Sequence, residues 1–142
     1  MLRSTISGVA LESTQNCPGW KLTLTSNFLA ISNDGTYVTP KSKTILASIT
    51  NKSLMKIAED EGISVESRPI TLKEVMDGNF KEAGACGTAV VVTPVDKIMY
   101  RDQEVRIGNG VGSVLRSLYD RMRRIQNGEE EDKFDWLLDV LL

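Results

Sequence analysis

Two short segments of this sequence carry the residue types needed to hold an anion. The first is Gly84 to Pro94, Gly-Ala-Cys-Gly-Thr-Ala-Val-Val-Val-Thr-Pro. Its glycines let main chain approach a ligand closely, and Thr88 adds a hydroxyl. A small-residue turn over Gly84 to Gly87 can offer consecutive N–H donors to an anion. Because the β-branched run Val90 to Val92 follows, the plain structural alternative is a tight turn entering a buried strand. The second segment is Ser48-Ile49-Thr50-Asn51-Lys52-Ser53-Leu54, which reads as an N-cap opening an amphipathic helix. A helix N-terminus leaves N–H groups without acceptors, carries partial positive charge and suits a phosphate. Ile49 and Thr50 supply the N–H groups here, and Thr50 a hydroxyl. The alternative is that Thr50 is an N-cap and nothing more.

Other chemistries are narrowed by composition. The chain has no histidine, which excludes Cys/His zinc sites and nucleophiles that depend on a histidine base. Cys17 and Cys86 form no metal or redox spacing. Cys86 lies in the glycine-rich segment, where a nearby helix end lowers a thiol pKa; a small buried residue is the other reading. The net charge of −2 and a pI near 5.2 argue against a nucleic-acid binder, which needs a basic face. Four of the eight arginines fall between Arg116 and Arg124, and read as a solvated helix face balanced by Glu129 to Asp132. No apolar run approaches the ~18 residues of a membrane span. Met1 to Ser13, with Arg3 and Glu12, makes a poor secretory signal. The expected place is the cytoplasm, with a mitochondrion as the alternative.

These segments need elements to position them. At 142 residues the chain is one domain with a real core. Residues 1–19 are polar, without a clear period, and broken by Cys17-Pro18-Gly19; they are expected to be irregular, ahead of a domain over 20–142. Trp20 to Ser32 alternates as a strand, Asn33-Asp34-Gly35-Thr36 is a hairpin turn, and Tyr37-Val38 returns as a short strand. Thr50 caps a helix to about Glu61, stopped by Gly62. Ile63 to Ile70 reads as a strand, and Thr71-Leu72-Lys73-Glu74 as a capping box opening a short helix to Asp77. Strands follow at Thr88 to Thr93, Lys97 to Tyr100 and Glu104 to Ile107. Ser113 caps a longer helix with the stripe Val114, Leu115, Leu118, Met122 and Ile125, ended by Asn127-Gly128. Phe134 to Leu142 is a terminal apolar segment. The pattern predicts an α/β (α+β) fold: a mixed, largely antiparallel sheet flanked by helices.

Four separated stretches, Pro40 to Leu54, Gly62 to Arg68, Glu82 to Pro94 and Asp132 to Trp136, recur in order. Together they resemble the C-terminal half of the branched-chain aminotransferases, fold-type IV enzymes that use pyridoxal 5'-phosphate (PLP). The resemblance runs from about Thr25 to Trp136. It implies that Ile49 and Thr50 hold the PLP phosphate, that Thr88 is a second phosphate contact, and that the N–H groups of Thr88 and Ala89 meet the substrate carboxylate. It also implies a pairing surface, because full-length relatives are homodimers.

The sequence departs from that family at its chemical centre. The carboxylate that pairs with the PLP ring nitrogen lies five residues before the asparagine of a Thr-Ser-Asn-Phe-Leu motif. That motif is Thr25 to Leu29 here, and the carboxylate position is Leu22. The family's Schiff-base lysine lies further upstream, and no lysine occurs in Met1 to Trp20. Lys21 sits beside the lost carboxylate and reads as a strand-surface residue. The family's small domain, with a phosphate-binding arginine, has no counterpart. The expectation is a truncated aminotransferase-like domain that keeps phosphate and carboxylate cups, names no catalytic residue, binds PLP weakly or not at all, and does not transaminate alone. The alternatives are a non-enzymatic interaction protein, pairing with itself or a full-length relative, and one part of a split enzyme. No metal, nucleic-acid or membrane partner is expected.

Overall fold

A computed structural model describes residues 9–13, 20–24, 27–41, 47–88, 90–100, 103–108 and 112–138. Its centre is a five-stranded sheet in the order β5-β4-β3-β6-β7. These strands are β3 (Asn27–Ser32), β4 (Tyr37–Pro40), β5 (Val65–Arg68), β6 (Phe80–Gly87) and β7 (Val91–Pro94). Only β4 and β5 pair in parallel, through Tyr37 opposite Val65 and Pro40 opposite Arg68; the other neighbours are antiparallel. Two separate hairpins complete the strands: β1 (Val9–Ser13) with β2 (Trp20–Leu24), and β8 (Lys97–Tyr100) with β9 (Gln103–Arg106). The mixed, largely antiparallel sheet with flanking helices is the expected fold class.

Alternation along β3 and β6 sorts the core into two layers. Leu29 and Ile31 join Cys86 and Val92 beneath the two long helices, α1 (Ile49–Asp60) and α3 (Ser113–Gln126). Leu54, Ile57 and Ala58 of α1 meet Leu115, Leu118, Met122 and Ile125 of α3 there, so both helices use the stripes that the sequence predicts. Phe28, Ala30, Ala83 and Ala85 face the opposite way. They are covered by Ile70, by Val75 of α2 (Leu72–Met76), and by Val95, Ile98 and Ile107 around the β8–β9 hairpin.

Several local expectations hold. The Asp-Gly turn joins β3 to β4, with Gly35 at φ 95°. Thr71 and Glu74 form the capping box: the Glu74 carboxylate accepts the Thr71 N–H at 2.9 Å, and Thr71 Oγ1 accepts the Glu74 N–H at 3.2 Å. Others are corrected. Trp20 to Ser32 is two strands in different sheets, and Val9–Ser13 is a regular strand in what reads as an irregular head. The first helix starts one residue earlier than Thr50: Ser48 is its N-cap, with Ser48 Oγ accepting the Asn51 N–H at 3.1 Å. Two hydroxyls compete for the cap in Ser-Ile-Thr, and only Ser48 stands three residues before a free N–H that the fold leaves in reach.

The largest correction concerns Gly84 to Gly87. These residues are the second half of strand β6, not a turn. Packing favours a glycine at position 84. A Cβ on Gly84 would lie 3.0 Å from Val92 Cγ1 and 3.3 Å from Leu115 Cδ1, so its absence lets α3 settle close to the sheet. The turn comes after Gly87, with Thr88 and Val90 both in turn conformation, so Val90 is not in a strand.

The arginine-rich face of α3 is also not wholly solvated. Arg121 is buried, and it ties three segments together. It donates to Asp60 at the end of α1 at 2.5 Å and to Glu130 beyond α3 at 2.7 Å, with Glu61 at 3.6 Å. The Arg121 hydrogen bond is the main cause that holds both the Asp60 and Glu130 carboxyls below their usual range.

Candidate functional site

The two candidate segments meet where α1 packs on β6. Cys86 is the penultimate residue of β6; it shares a core cluster with Leu54, Ile57 and Ala58 of α1, and the Ser48 hydroxyl at the N-cap of α1 is near enough to lower its thiol pKa. Ser48 precedes Thr50 by two residues and Cys86 precedes Thr88 by two. The start of α1 therefore lies near the end of β6, after which the β6–β7 loop begins. Ile49 is 79% exposed, Thr50 is half-buried, and Thr88 is exposed. Ile49 and Thr50 stand at the first two positions of the helix, where N–H groups have no intrahelical acceptor. Ser48 takes the N–H of Asn51, which leaves those of Ile49 and Thr50 facing the open end. Ala89 lies outside the described residues.

The loop is held under backbone strain. Gly87 is the last residue of β6 to pair with β7, opposite Val91. Val91 closes the loop at φ 59°, in the left-handed region, while its side chain is buried. For a β-branched residue this conformation costs on the order of 1–2 kcal/mol. The buried Val91 side chain and the β6–β7 ladder hold it there, and strain maintained in this way clusters at functional sites.

Cys86 has the small, buried role. Burial pushes its thiol up to about 11, against a lowering by the Ser48 hydroxyl. It stays a neutral thiol near pH 7, which removes the nucleophile and redox readings. Tyr37, buried beside it, is also held well above the ordinary phenol range, by burial first and then by Cys86. Its hydroxyl is therefore a fixed proton donor. Tyr37 Oη donates to Asn51 Oδ1 at 2.7 Å, Asn51 Nδ2 donates to Thr39 Oγ1 at 3.0 Å, and Thr39 Oγ1 donates to the Phe28 carbonyl at 3.2 Å. Sequence reasoning passes over Tyr37, Thr39 and Asn51. The period-2 spacing of 37 and 39 on one face of a strand was the available signal.

The other expected positions fall elsewhere. Leu22 and Lys21 lie in β2, where their backbones pair with Leu11 and Glu12 of β1. Cys17 lies outside the described residues. Among the described residues, no group of three or more metal-ligating side chains occurs, and no helix is long and apolar enough to cross a membrane.

The family model for class IV amino-transferases matches residues 23–98, more than half of the chain and both halves of the site. The chain belongs to the class IV aminotransferases. Its sequence is 40% identical over 116 residues to the branched-chain-amino-acid aminotransferase of Helicobacter pylori strain J99, covering 81% of this chain and 33% of that protein. The branched-chain amino acid aminotransferase of Escherichia coli superposes with a TM-score of 0.73 at 26% identity, over 91% of this chain and 41% of that one. The branched-chain aminotransferase of the thermophilic archaeon Thermoproteus uzoniensis, solved with norvaline, gives a TM-score of 0.67 at 30% identity, over 80% of this chain and 35% of that one. The class IV aminotransferase chain thus spans about a third of the length of the curated relative it matches.

The donor set fits one end of the PLP molecule. A helix start with two outward N–H groups and nearby hydroxyls suits the phosphate. At the position where the resemblance implies a partner for the ring nitrogen stands Leu22, and no lysine occurs in residues 1–20.

Proposed function

We propose that this chain is an aminotransferase-like domain that binds PLP weakly and by its phosphate, and that does not transaminate alone. The observation that carries the reading is the packing of α1 on β6, with Leu54, Ile57, Ala58 and Cys86 in one core cluster within the span matched by the family. Ile49 and Thr50 donate N–H groups to the phosphate, with Thr50 and Thr88 adding hydroxyls. The N–H groups of Thr88 and Ala89 are the donors for a substrate carboxylate. When bound, PLP supplies the electron sink for chemistry at an amino acid's α-carbon. Holding that ring in its effective protonated form needs an acid at position 22, and moving the substrate proton needs a base at the cofactor's aldehyde. Leu22 offers no such acid, and Lys21 belongs to a strand whose backbone is fully laddered with β1.

Titration of the purified chain with PLP and with inorganic phosphate tests this. Phosphate should compete with PLP, and Thr50→Ala and Thr88→Ala should each weaken binding by roughly 0.5–2 kcal/mol. Borohydride should trap no PLP adduct on a specific lysine, and leucine should transfer no amino group to 2-oxoglutarate. A specific adduct together with turnover restores the enzyme reading.

A second reading, association with another copy or with a full-length relative, is favoured by the C-terminal segment. Phe134 stacks on Trp136 with ring centroids 4.3 Å apart, and the Asp132 carboxylate accepts the N–H groups of Phe134 and Leu137. That turn leaves Leu137 47% and Leu138 86% exposed. Consecutive exposed apolar side chains of this kind mark association surfaces. Light scattering should report a species larger than a monomer, alone or with a full-length relative added; a clean monomer under both conditions overturns it.

A further inference from the structure

We infer that Asn51 is a positioning residue for the anion site, fixing the first turn of α1 to the central sheet through Tyr37 and Thr39. This rests on the anion-site reading above and adds how its donors are aimed. A helix start is aimed by whatever stops the helix from sliding or rotating on the sheet. Leu54, Ile57 and Ala58 hold the middle of α1 by apolar contact, which is non-directional. The first turn has no such anchor, because Ile49 is 79% exposed and Thr50 and Asn51 are only half-buried.

Hydrogen bonds supply the anchor instead. The Asn51 amide is engaged at both ends, from Tyr37 at 2.7 Å and to Thr39 at 3.0 Å. Both partners are buried on the α1 face of β4. Thr39 passes the restraint to the carbonyl of Phe28 in β3 at 3.2 Å. The Asn51 backbone N–H is itself bound to the N-cap Ser48. Asn51 therefore ties the cap and the sheet together immediately after the two N–H donors at 49 and 50. A planar amide with both ends occupied fixes orientation as well as distance.

Amide NMR tests this on the full chain with inorganic phosphate as the probe. Tyr37→Phe keeps the ring in the core and removes only the hydroxyl, so it should fold even if Asn51→Ala does not. In the parent, phosphate should shift the Ile49 and Thr50 amide resonances. Both variants should loosen the amides of 49–51 before phosphate is added, and should raise the phosphate dissociation constant roughly two- to tenfold. The double variant should lose no more than Asn51→Ala alone, because the two share one restraint. Folded variants with parent-like order at 49–51 and parent-like phosphate affinity overturn the inference, even if their global stability falls. Loosened amides in a chain whose parent shows no phosphate shift uphold the positioning and overturn the anion site instead.

Discussion

Replacing Glu82 by alanine is expected to cost the domain about 3 kcal/mol of unfolding free energy, one of the largest single-residue effects in the fold. Glu82 is a buried carboxylate on β6. It serves as the cap of α3 from outside the helix, since Gly112 at the N-cap position makes no side-chain cap hydrogen bond. Glu82 Oε1 accepts the Val114 N–H at 3.2 Å, and Oε2 accepts the Leu115 N–H at 2.8 Å. The carboxylate thus neutralises two orphan donors and sits at the positive end of the helix. Alanine removes both bonds and leaves N–H groups beneath α3 without acceptors. Gln should cost less, because one amide oxygen still accepts while its NH2 group opposes the second N–H. Denaturant midpoints at fixed slope measure both. An alanine variant within 1 kcal/mol of the parent sinks the argument, ~1 kcal/mol being the cost of an ordinary partly exposed bond. The same contact explains the glycine at 112, where a Cβ would fall 1.7 Å from Glu82 Cδ.

The second large effect is expected at Gly108. Its φ is +64°, and a Cβ there would stand 2.1 Å from the carbonyl oxygen of Lys81, which is main chain and cannot swing away. Gly108→Ala should destabilise by more than ~3 kcal/mol, adding a steric term to the left-handed penalty. Gly62, Gly78 and Gly128 supply the control, with φ of 76°, 74° and 70° and nothing within 4 Å of an added Cβ. Alanine at those sites should cost only about 1–2 kcal/mol each. Thermal unfolding of the four variants decides it: equal losses at all four positions mean that the Lys81 carbonyl yields freely.

Much of this was legible in the chain because the signals were local. The stripe from Val114 to Ile125, the capping box at Thr71 and the Asp-Gly turn all depend on residues within a few positions of one another. β6 was not legible, because Gly84-Ala85-Cys86-Gly87 has turn composition. It is a strand only because β3 and β7 pair with it on either side and α3 needs the space above it. Val91 misled in the opposite sense: a β-branched residue inside a valine run promises extended chain, yet it opens β7 in a left-handed conformation. In the candidate site, Ile49, Thr50 and Thr88 could be named because the start of a helix and a hydroxyl after glycine are written locally. Glu82 and Asn51 could not, since their partners lie 32 and 12 residues or more away. The corrected cap of α3, Gly112 in place of Ser113, shares that cause, since Glu82 on β6 takes the Val114 and Leu115 N–H groups that a capping side chain would otherwise compete for.

The β3–β6 pairing also sets an order of events for a newly made chain. Phe28 faces Ala85 and Leu29 faces Gly84 at the centre of the sheet, so the seam joins strands encoded far apart. The β3–β4 hairpin closes over a four-residue turn and can form early. The seam cannot form until the chain has been synthesised through Gly87, and closing so long a loop is the slower, costlier search. Until then α1 has no Cys86 to pack against. Assembly of the site is thus tied to the last long-range step in building the sheet, and a nascent chain halted before β6 would carry one half of the site without the other.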